Sequence, residues 1–150
     1  MPDFNSNIIT REGQRGAAGL ADPTLYQASV RFVQATVTIP STLAANDRLR
    51  LATLPAGAQV VPSMSQAICH ADPGTTLRLN VGDSGNTSRY ASALNLDAGG
   101  VVNFAGATIP AQTTSRAKLA TETEVFATIT SAAAITNGSV ITFLIAYFVG

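Results

Sequence analysis

Hydrophobic and polar residues alternate in short stretches along most of the chain, with glycine, proline, asparagine and aspartate between the stretches. The most regular example is residues 77–81, where three aliphatic side chains alternate with an arginine and an asparagine. Leu49 and Leu51 alternate in the same way with Arg48 and Arg50. A period of two is typical of a β-strand with one buried face. The pattern therefore predicts strands whose arginines lie on a solvent or partner face.

Two stretches depart from simple alternation. Within residues 26–39 the apolar positions change phase by one residue after Phe32, which predicts a bulge or two strands bent around a corner. The last stretch, residues 140–149, is apolar on both faces, and its second face carries Leu144, Ala146 and Phe148. We expect one face to meet the core and the other a second sheet, a subunit or a neighbour. Before it, Asn137-Gly138 predicts a hairpin turn.

About eight short strands at roughly 10-residue spacing predict an all-β chain, as an antiparallel sandwich, jelly roll or barrel. We predict one domain over residues 25–150. Residues 1–24 are rich in glycine and polar residues and predict an extended N-terminal arm, which could be anchored by the side chains of Phe4, Ile8, Ile9 and Leu20. This segment is either an unstructured tail or an arm that orders on contact with a partner.

Charge and composition narrow the class of partner. The chain has 150 residues, nine basic and nine acidic, so no net field steers it to nucleic acid or an anionic membrane. Its longest apolar run, residues 140–149, is too short to cross a bilayer as a helix, which needs ~20 residues. We therefore expect neither a nucleic acid nor a membrane partner. Low charge favours association, and we expect a homo-oligomer.

The candidates for chemistry are few, because the chain has one histidine and one cysteine. Residues 82–85, Gly-Asp-Ser-Gly, are similar to the string around the nucleophile of chymotrypsin-like proteases, but the single His70 lies only a strand and a turn upstream. The same loop has one carboxylate, too few for a typical Ca²⁺ site. Cys69, His70 and Asp72 cannot supply the four ligands of a zinc site. We expect no enzyme activity, no catalytic residues, no metal and no cofactor.

Several segments, in this order, carry a family resemblance: Asn5-Ser6-Asn7-Ile8, Leu25-Tyr26, Asn46-Asp47-Arg48-Leu49, Leu54-Pro55-Ala56-Gly57-Ala58-Gln59-Val60, Leu79-Asn80-Val81-Gly82-Asp83-Ser84-Gly85-Asn86 and Arg89-Tyr90-Ala91-Ser92-Ala93. The chain resembles small structural proteins from tailed-bacteriophage virion gene clusters, often identified as capsid decoration (cement) or other head accessory proteins. The resemblance implies a β-sandwich or jelly-roll-like module, often oligomeric, bound to the capsid shell.

The predicted function is then a decoration protein, made in the host cytoplasm, which binds the major capsid protein on the outer surface of the head and clamps neighbouring subunits. We expect a trimer, with a dimer as the other possibility. The predicted contact residues are Phe4, Ile8, Ile9, Arg11, Arg15, Arg48, Arg50 and Phe148, with Arg78 and Arg89 as further candidates. The alternative for each arginine is a solvated strand face. The alternative function is a tail or head fibre domain that recognises a host surface or glycan. The absence of tryptophan argues against it, because glycan sites normally expose aromatic side chains.

Overall fold

A computed structural model describes residues 29–74, 76–106 and 117–150. The predicted arm, residues 1–24, lies outside the described residues. The strands are β1 (Arg31–Thr38), β2 (Arg48–Leu54), β3 (Ala58–Val60), β4 (Gln66–Cys69), β5 (Thr76–Asp83), β6 (Asn86–Asn95), β7 (Gly100–Asn103), β8 (Thr123–Ala133) and β9 (Val140–Val149). Short 3-10 helices cover Pro62–Met64 and Phe104–Gly106. In the part of the chain that the structure describes, no helix is long and apolar enough to cross a membrane.

The strands form two antiparallel sheets. Sheet A has the order β1-β9-β4-β7, with β3 also paired to β9, and sheet B has the order β2-β8-β5-β6. If β3 and β4 are counted as one interrupted strand, every connection except that between β5 and β6 crosses from one sheet to the other. This is the arrangement of an eight-stranded jelly roll. The predicted all-β, jelly-roll-like sandwich is confirmed.

The core lies between the two sheets and is built from the apolar positions of the alternating stretches. Residues 77, 79 and 81 of β5 are fully buried, and Leu49 and Leu51 of β2 are 9% exposed. Arg50, between these two leucines, and Arg48, just before Leu49, are exposed. The predicted orientation of both strands is therefore confirmed. Burying large aliphatic side chains contributes roughly 1.5–3 kcal/mol each, which makes this the dominant stabilising term.

One serine closes the gap between β3 and β4. Both strands pair with the same edge of β9, and the 3-10 helix at Pro62–Met64 interrupts them. The Ser65 hydroxyl, fully buried, donates to the Val61 carbonyl at 2.9 Å and accepts the Ala146 N–H at 2.9 Å. A side chain thus replaces the missing main-chain partner, which keeps the backbone of β9 satisfied through the interruption.

The phase change near Phe32 is not a bulge within the described residues. The β1–β9 register runs without a shift from Arg31↔Tyr147 to Thr38↔Val140. Val33, Ala35 and Val37 pack against the core, whereas Phe32 lies on the outer face of sheet A and is 55% exposed. The apolar stripe changes face while the strand stays regular, so the bulge prediction was wrong for residues 31–38.

The hairpin predicted at Asn137-Gly138 was also wrong. Gly138 has φ +81 and does form a turn, but the flanking strands β8 and β9 belong to different sheets. The Gly138 N–H donates to the Ile39 carbonyl at 3.0 Å, and the Asn137 side chain accepts the Ser41 N–H at 3.2 Å. These contacts with the segment after β1 carry the chain across the sandwich instead of back along β8.

Candidate functional site

The outer face of sheet B carries a cluster of charged and aromatic side chains along β2 and β8. Arg48 lies opposite Thr128 in the register, and Arg50 lies opposite Phe126. Directly opposed residues of an antiparallel pair project from the same face. The structure therefore brings together Arg48 and Arg50, both predicted as contact residues, and adds Phe126 to them.

Phe126 is the centre of this cluster. It projects away from the core side chains of β8, yet it is only 4% exposed. Its register partner on β5 is Gly82, so no side chain stands opposite the ring on that strand. The guanidinium carbon of Arg48 lies 4.5 Å from the ring centroid, in cation–π geometry. The sequence signal for this residue was weak, because a phenylalanine on the polar side of an alternating strand looks like a single exception.

Arg50 completes the cluster with Glu124. The Arg50 Nε lies 3.0 Å from the Glu124 Oε1, and the two side chains are 82% and 42% exposed. Arg48, Arg50, Glu124 and Phe126 line an open pocket of about 170 Å³. We call these four residues the arginine face.

The arginine face suits a partner that carries carboxylates. Among the described residues, Arg48 has no carboxylate within salt-bridge distance, so its guanidinium donors remain available while the group packs over the Phe126 ring. The Arg50–Glu124 pair is exposed, and an exposed pair contributes little stability, so exchanging Glu124 for a partner carboxylate costs little. Guanidinium groups bind carboxylates through two parallel hydrogen bonds and are favoured at interfaces.

The other predicted arginines have different roles. Arg89 binds the buried Asp83 and its side chain is only 23% exposed, so it is a structural residue and the suggestion that it reaches an acidic partner was wrong. Arg78 pairs with Asp97 at 3.0 Å in a half-exposed position. Neither belongs to the arginine face.

Phe148 lies on the opposite side of the molecule, on the outer face of sheet A. The register places it opposite Gln59 and on the same face of β9 as Leu144. Both are half-buried, and no further layer of the described residues covers them. The structure therefore separates Phe148 from Arg48 and Arg50. Phe4, Ile8, Ile9, Arg11 and Arg15 lie outside the described residues.

The loop at residues 82–85, whose sequence is similar to that around a protease nucleophile, is a structural hairpin. The Asp83 Oδ1 accepts the N–H groups of Gly85 (2.9 Å) and Asn86 (3.0 Å), while its carboxylate also binds Arg89 and the hydroxyl of Tyr90 (3.4 Å). Burial and the negative charge of Asp83 raise the pKa of Tyr90 above its ordinary value. The Asp83 oxygens are used within the hairpin. Ser84 lies in sheet B's β5–β6 turn, and His70 follows β4 of sheet A, so sequence proximity does not place them together.

Cys69 and His70 point in opposite directions from β4. Cys69 belongs to the core and is 3% exposed, and burial together with the charge of Asp72 raises the pKa of its thiol to about 11. His70 is exposed on the outer side, where its Nε2 lies 3.0 Å from the Thr142 Oγ1. Across the described residues, no three His, Cys, Asp or Glu side chains are grouped as metal ligands would be.

Comparison with solved structures finds the same fold in phage capsids. A chain of the cyanophage Pam1 capsid asymmetric unit matches with a TM-score of 0.63 and 24% identity, and the match covers 100% of both chains. A chain of the Ralstonia phage GP4 capsid matches with a TM-score of 0.60 and 24% identity, over 81% of this chain and 85% of that one.

A third chain comes from the acid-stable capsid structure of Helicobacter pylori bacteriophage KHP30, with a TM-score of 0.53 and 22% identity over 80% of this chain and 87% of that one. No protein-family model matches the sequence, and the search of curated proteins gives no match. At these identities the comparisons establish the fold: this chain has the jelly-roll fold of chains found in the capsid structures of three phages.

Proposed function

We propose that this chain is a non-enzymatic structural protein of a phage virion. The observation that carries the proposal is the match to the Pam1 capsid chain, which extends over the full length of both chains. The ionisable groups support the same conclusion, because the buried Asp83 is saturated by hairpin contacts and the Cys69 thiol is held protonated in the core.

Within that class, we propose a decoration (cement) protein. It binds the major capsid protein on the outer surface of the assembled head and clamps neighbouring subunits, as a homo-oligomer made in the host cytoplasm. A protein that binds the assembled shell and not its separate subunits stabilises the shell by RT ln(1 + [L]/K), where K is its dissociation constant. This role requires binding surfaces and no chemistry.

The arginine face is the proposed contact with the capsid. Arg48 is held by Phe126 with its donors available, and Arg50 exchanges Glu124 for a capsid carboxylate. The arm residues Phe4, Ile8, Ile9, Arg11 and Arg15, together with Phe148, remain proposed contacts. An arginine that already packs over an aromatic ring before binding loses less side-chain entropy than a free one, which favours Arg48 as the stronger contact.

Co-sedimentation with capsids that lack this protein tests the proposal. We expect the wild-type chain to pellet with capsids, and Arg48→Ala to bind about tenfold more weakly, equivalent to about 1.4 kcal/mol. Arg78→Ala is the matched control, because Arg78 is a partly exposed arginine of the same sheet outside the arginine face. Absence of wild-type binding would contradict the decoration role. Equal losses for the two variants would contradict the assignment of the arginine face.

A further inference from the structure

Strand β1 forms one edge of sheet A, and the hydrogen-bond pattern shows which of its backbone groups face outward. The Ile39 N–H donates to the Ser139 carbonyl at 2.8 Å, and the register from there through β1 has no shift. The odd-numbered residues of β1 therefore bond to β9. The other edge of β9 is consistent with this pattern. There the carbonyl groups of two even-numbered residues, Val140 and Ala146, accept N–H groups from the β3–β4 side.

The even-numbered residues of β1, Phe32, Gln34, Thr36 and Thr38, thus direct their N–H and C=O groups away from the sheet. No described residue pairs with these groups. The other edges are interrupted or short: β7 has four residues, β2 has a register shift between Arg50 and Ala52, and β6 has two shifts. Irregularities, charges and short strands are how edge strands avoid pairing with other chains.

Strand β1 has none of these protections. It runs for eight residues in regular register, contains no proline, and its single charge is at one end, on Arg31. Its core-facing side chains, Val33, Ala35 and Val37, are only half-buried, whereas Ile141, Phe143 and Ile145, which they oppose on β9, are fully buried. The edge is therefore unsatisfied both in hydrogen bonds and in apolar burial.

We propose that β1 pairs with β1 of a second copy, antiparallel about a two-fold axis at Ala35, to form one continuous sheet across a dimer. The geometry selects this register. With Ala35 opposite itself, Gln34 faces Thr36 and Phe32 faces Thr38 as hydrogen-bonded pairs, so every outward N–H and C=O of β1 has a partner. Moving the axis to Gln34 or to Thr36 places Thr38 opposite Val30 or Phe32 opposite Pro40, both outside β1, and proline has no N–H to donate.

The side chains fit the same register. On the core side, Val33 faces Val37 of the second copy. On the outer side, the amide of Gln34 faces the hydroxyl of Thr36. Arg31 of each copy faces Ile39 of the other copy. The two arginines therefore lie at opposite ends of the paired strands, and no two like charges are opposed. The contact is self-complementary, as a two-fold interface requires. Of the trimer and the dimer, it favours the dimer.

Cysteine cross-linking of the full chain tests the register. Residues opposed as a non-hydrogen-bonded pair have Cα atoms about 4.5 Å apart, within disulfide range. In a Cys69→Ala background, we expect Ala35→Cys to form a covalent dimer in most chains on mild oxidation. Val33→Cys is the matched control, because its two copies are four residues out of register, roughly 14 Å apart, and should stay uncross-linked. Cross-linking of both variants alike, or of Val33→Cys alone, would overturn the proposal.

A second measurement does not depend on a variant. We expect wild-type protein to have the mass of a dimer by light scattering, with the amide protons of Phe32, Gln34, Thr36 and Thr38 exchanging as slowly as their odd-numbered neighbours. Fast exchange at these four amides contradicts the pairing. Slow exchange at the mass of a monomer also contradicts it, and assigns the edge to a segment of the same chain. Both measurements use isolated protein, so their failure leaves the proposal of capsid binding intact.

Discussion

The described residues bury a single carboxylate, that of Asp83, and replacing it with asparagine tests whether the β5–β6 hairpin depends on its charge. The side chain is 4% exposed and binds Arg89, whose side chain is 23% exposed. Asparagine keeps an oxygen that can accept the N–H groups of Gly85 and Asn86, but it removes the negative charge that compensates Arg89. The substitution therefore isolates the ion pair from the turn.

Breaking a buried ion pair by removing one partner costs about 3–5 kcal/mol. Because Arg89 keeps some access to water, we expect Asp83→Asn to lower the free energy of unfolding by about 2–3 kcal/mol. For a chain of this length that corresponds to a fall in Tm of about 4–12 °C. Urea denaturation and thermal unfolding followed by circular dichroism measure both quantities.

Asp97→Asn is the matched control. Asp97 also accepts a backbone N–H, that of Leu77, at 2.8 Å and pairs with an arginine, Arg78, at 3.0 Å, but this pair is 46% and 29% exposed. We expect its loss to cost less than about 1 kcal/mol. Equal destabilisation by the two substitutions, or a loss below about 1 kcal/mol for Asp83→Asn, would show that burial does not make the Asp83 charge essential.

Three further predictions concern a close backbone approach at Gly82 and two buried side chains, those of Ser65 and Cys69. Gly82→Ala would place a methyl group against the Asn86 carbonyl oxygen and the Thr87 backbone, so we expect a loss of about 2 kcal/mol or more in urea denaturation, whereas Gly85→Ala, whose nearest contacts are at 3.3 Å, should lose clearly less. Ser65→Ala removes the hydroxyl that joins Val61 to Ala146, and we expect it to cost about 1–3 kcal/mol, against little change for the exposed Ser63→Ala; equal effects would contradict the bridging role. The Cys69 thiol should react with a thiol reagent at pH 8 far more slowly in the native protein than in denaturant. Burial raises the pKa of this thiol from an ordinary value of 9.0 to about 11. The protonated thiol therefore stabilises the folded state fully below pH 9, and this stabilisation is lost as the pH rises to 11. We expect the loss of stability at alkaline pH to be smaller in Cys69→Ala.

The sequence pattern predicted the strands that alternate cleanly, because burial on one face depends only on local period. Leu49 and Leu51 of β2 and the aliphatic side chains of β5 point to the core, and Arg48 and Arg50 point outward. The all-β class followed from the same signal. Pairing order did not, because it depends on contacts between residues distant in sequence, such as β1 with β9.

The errors have specific physical causes. The turn at Asn137-Gly138 formed, but contacts with the segment after β1 directed the chain to the other sheet. Phe32 looked like part of a core stripe and instead lies on an outer face. Phe126 was missed because it is covered by residues distant in sequence, among them Arg48, whose guanidinium lies over its ring. Arg89 looked like a surface arginine and instead compensates a buried carboxylate.

Electron cryo-microscopy of capsids that lack this protein, imaged after incubation with the purified chain, tests the decoration role most directly. We expect additional density at repeating positions on the outer surface of the shell, bridging neighbouring capsid subunits, with the arginine face of sheet B towards the capsid. Absence of density on the shell, or density confined to one vertex or to the tail, would contradict the decoration role and favour the fibre alternative.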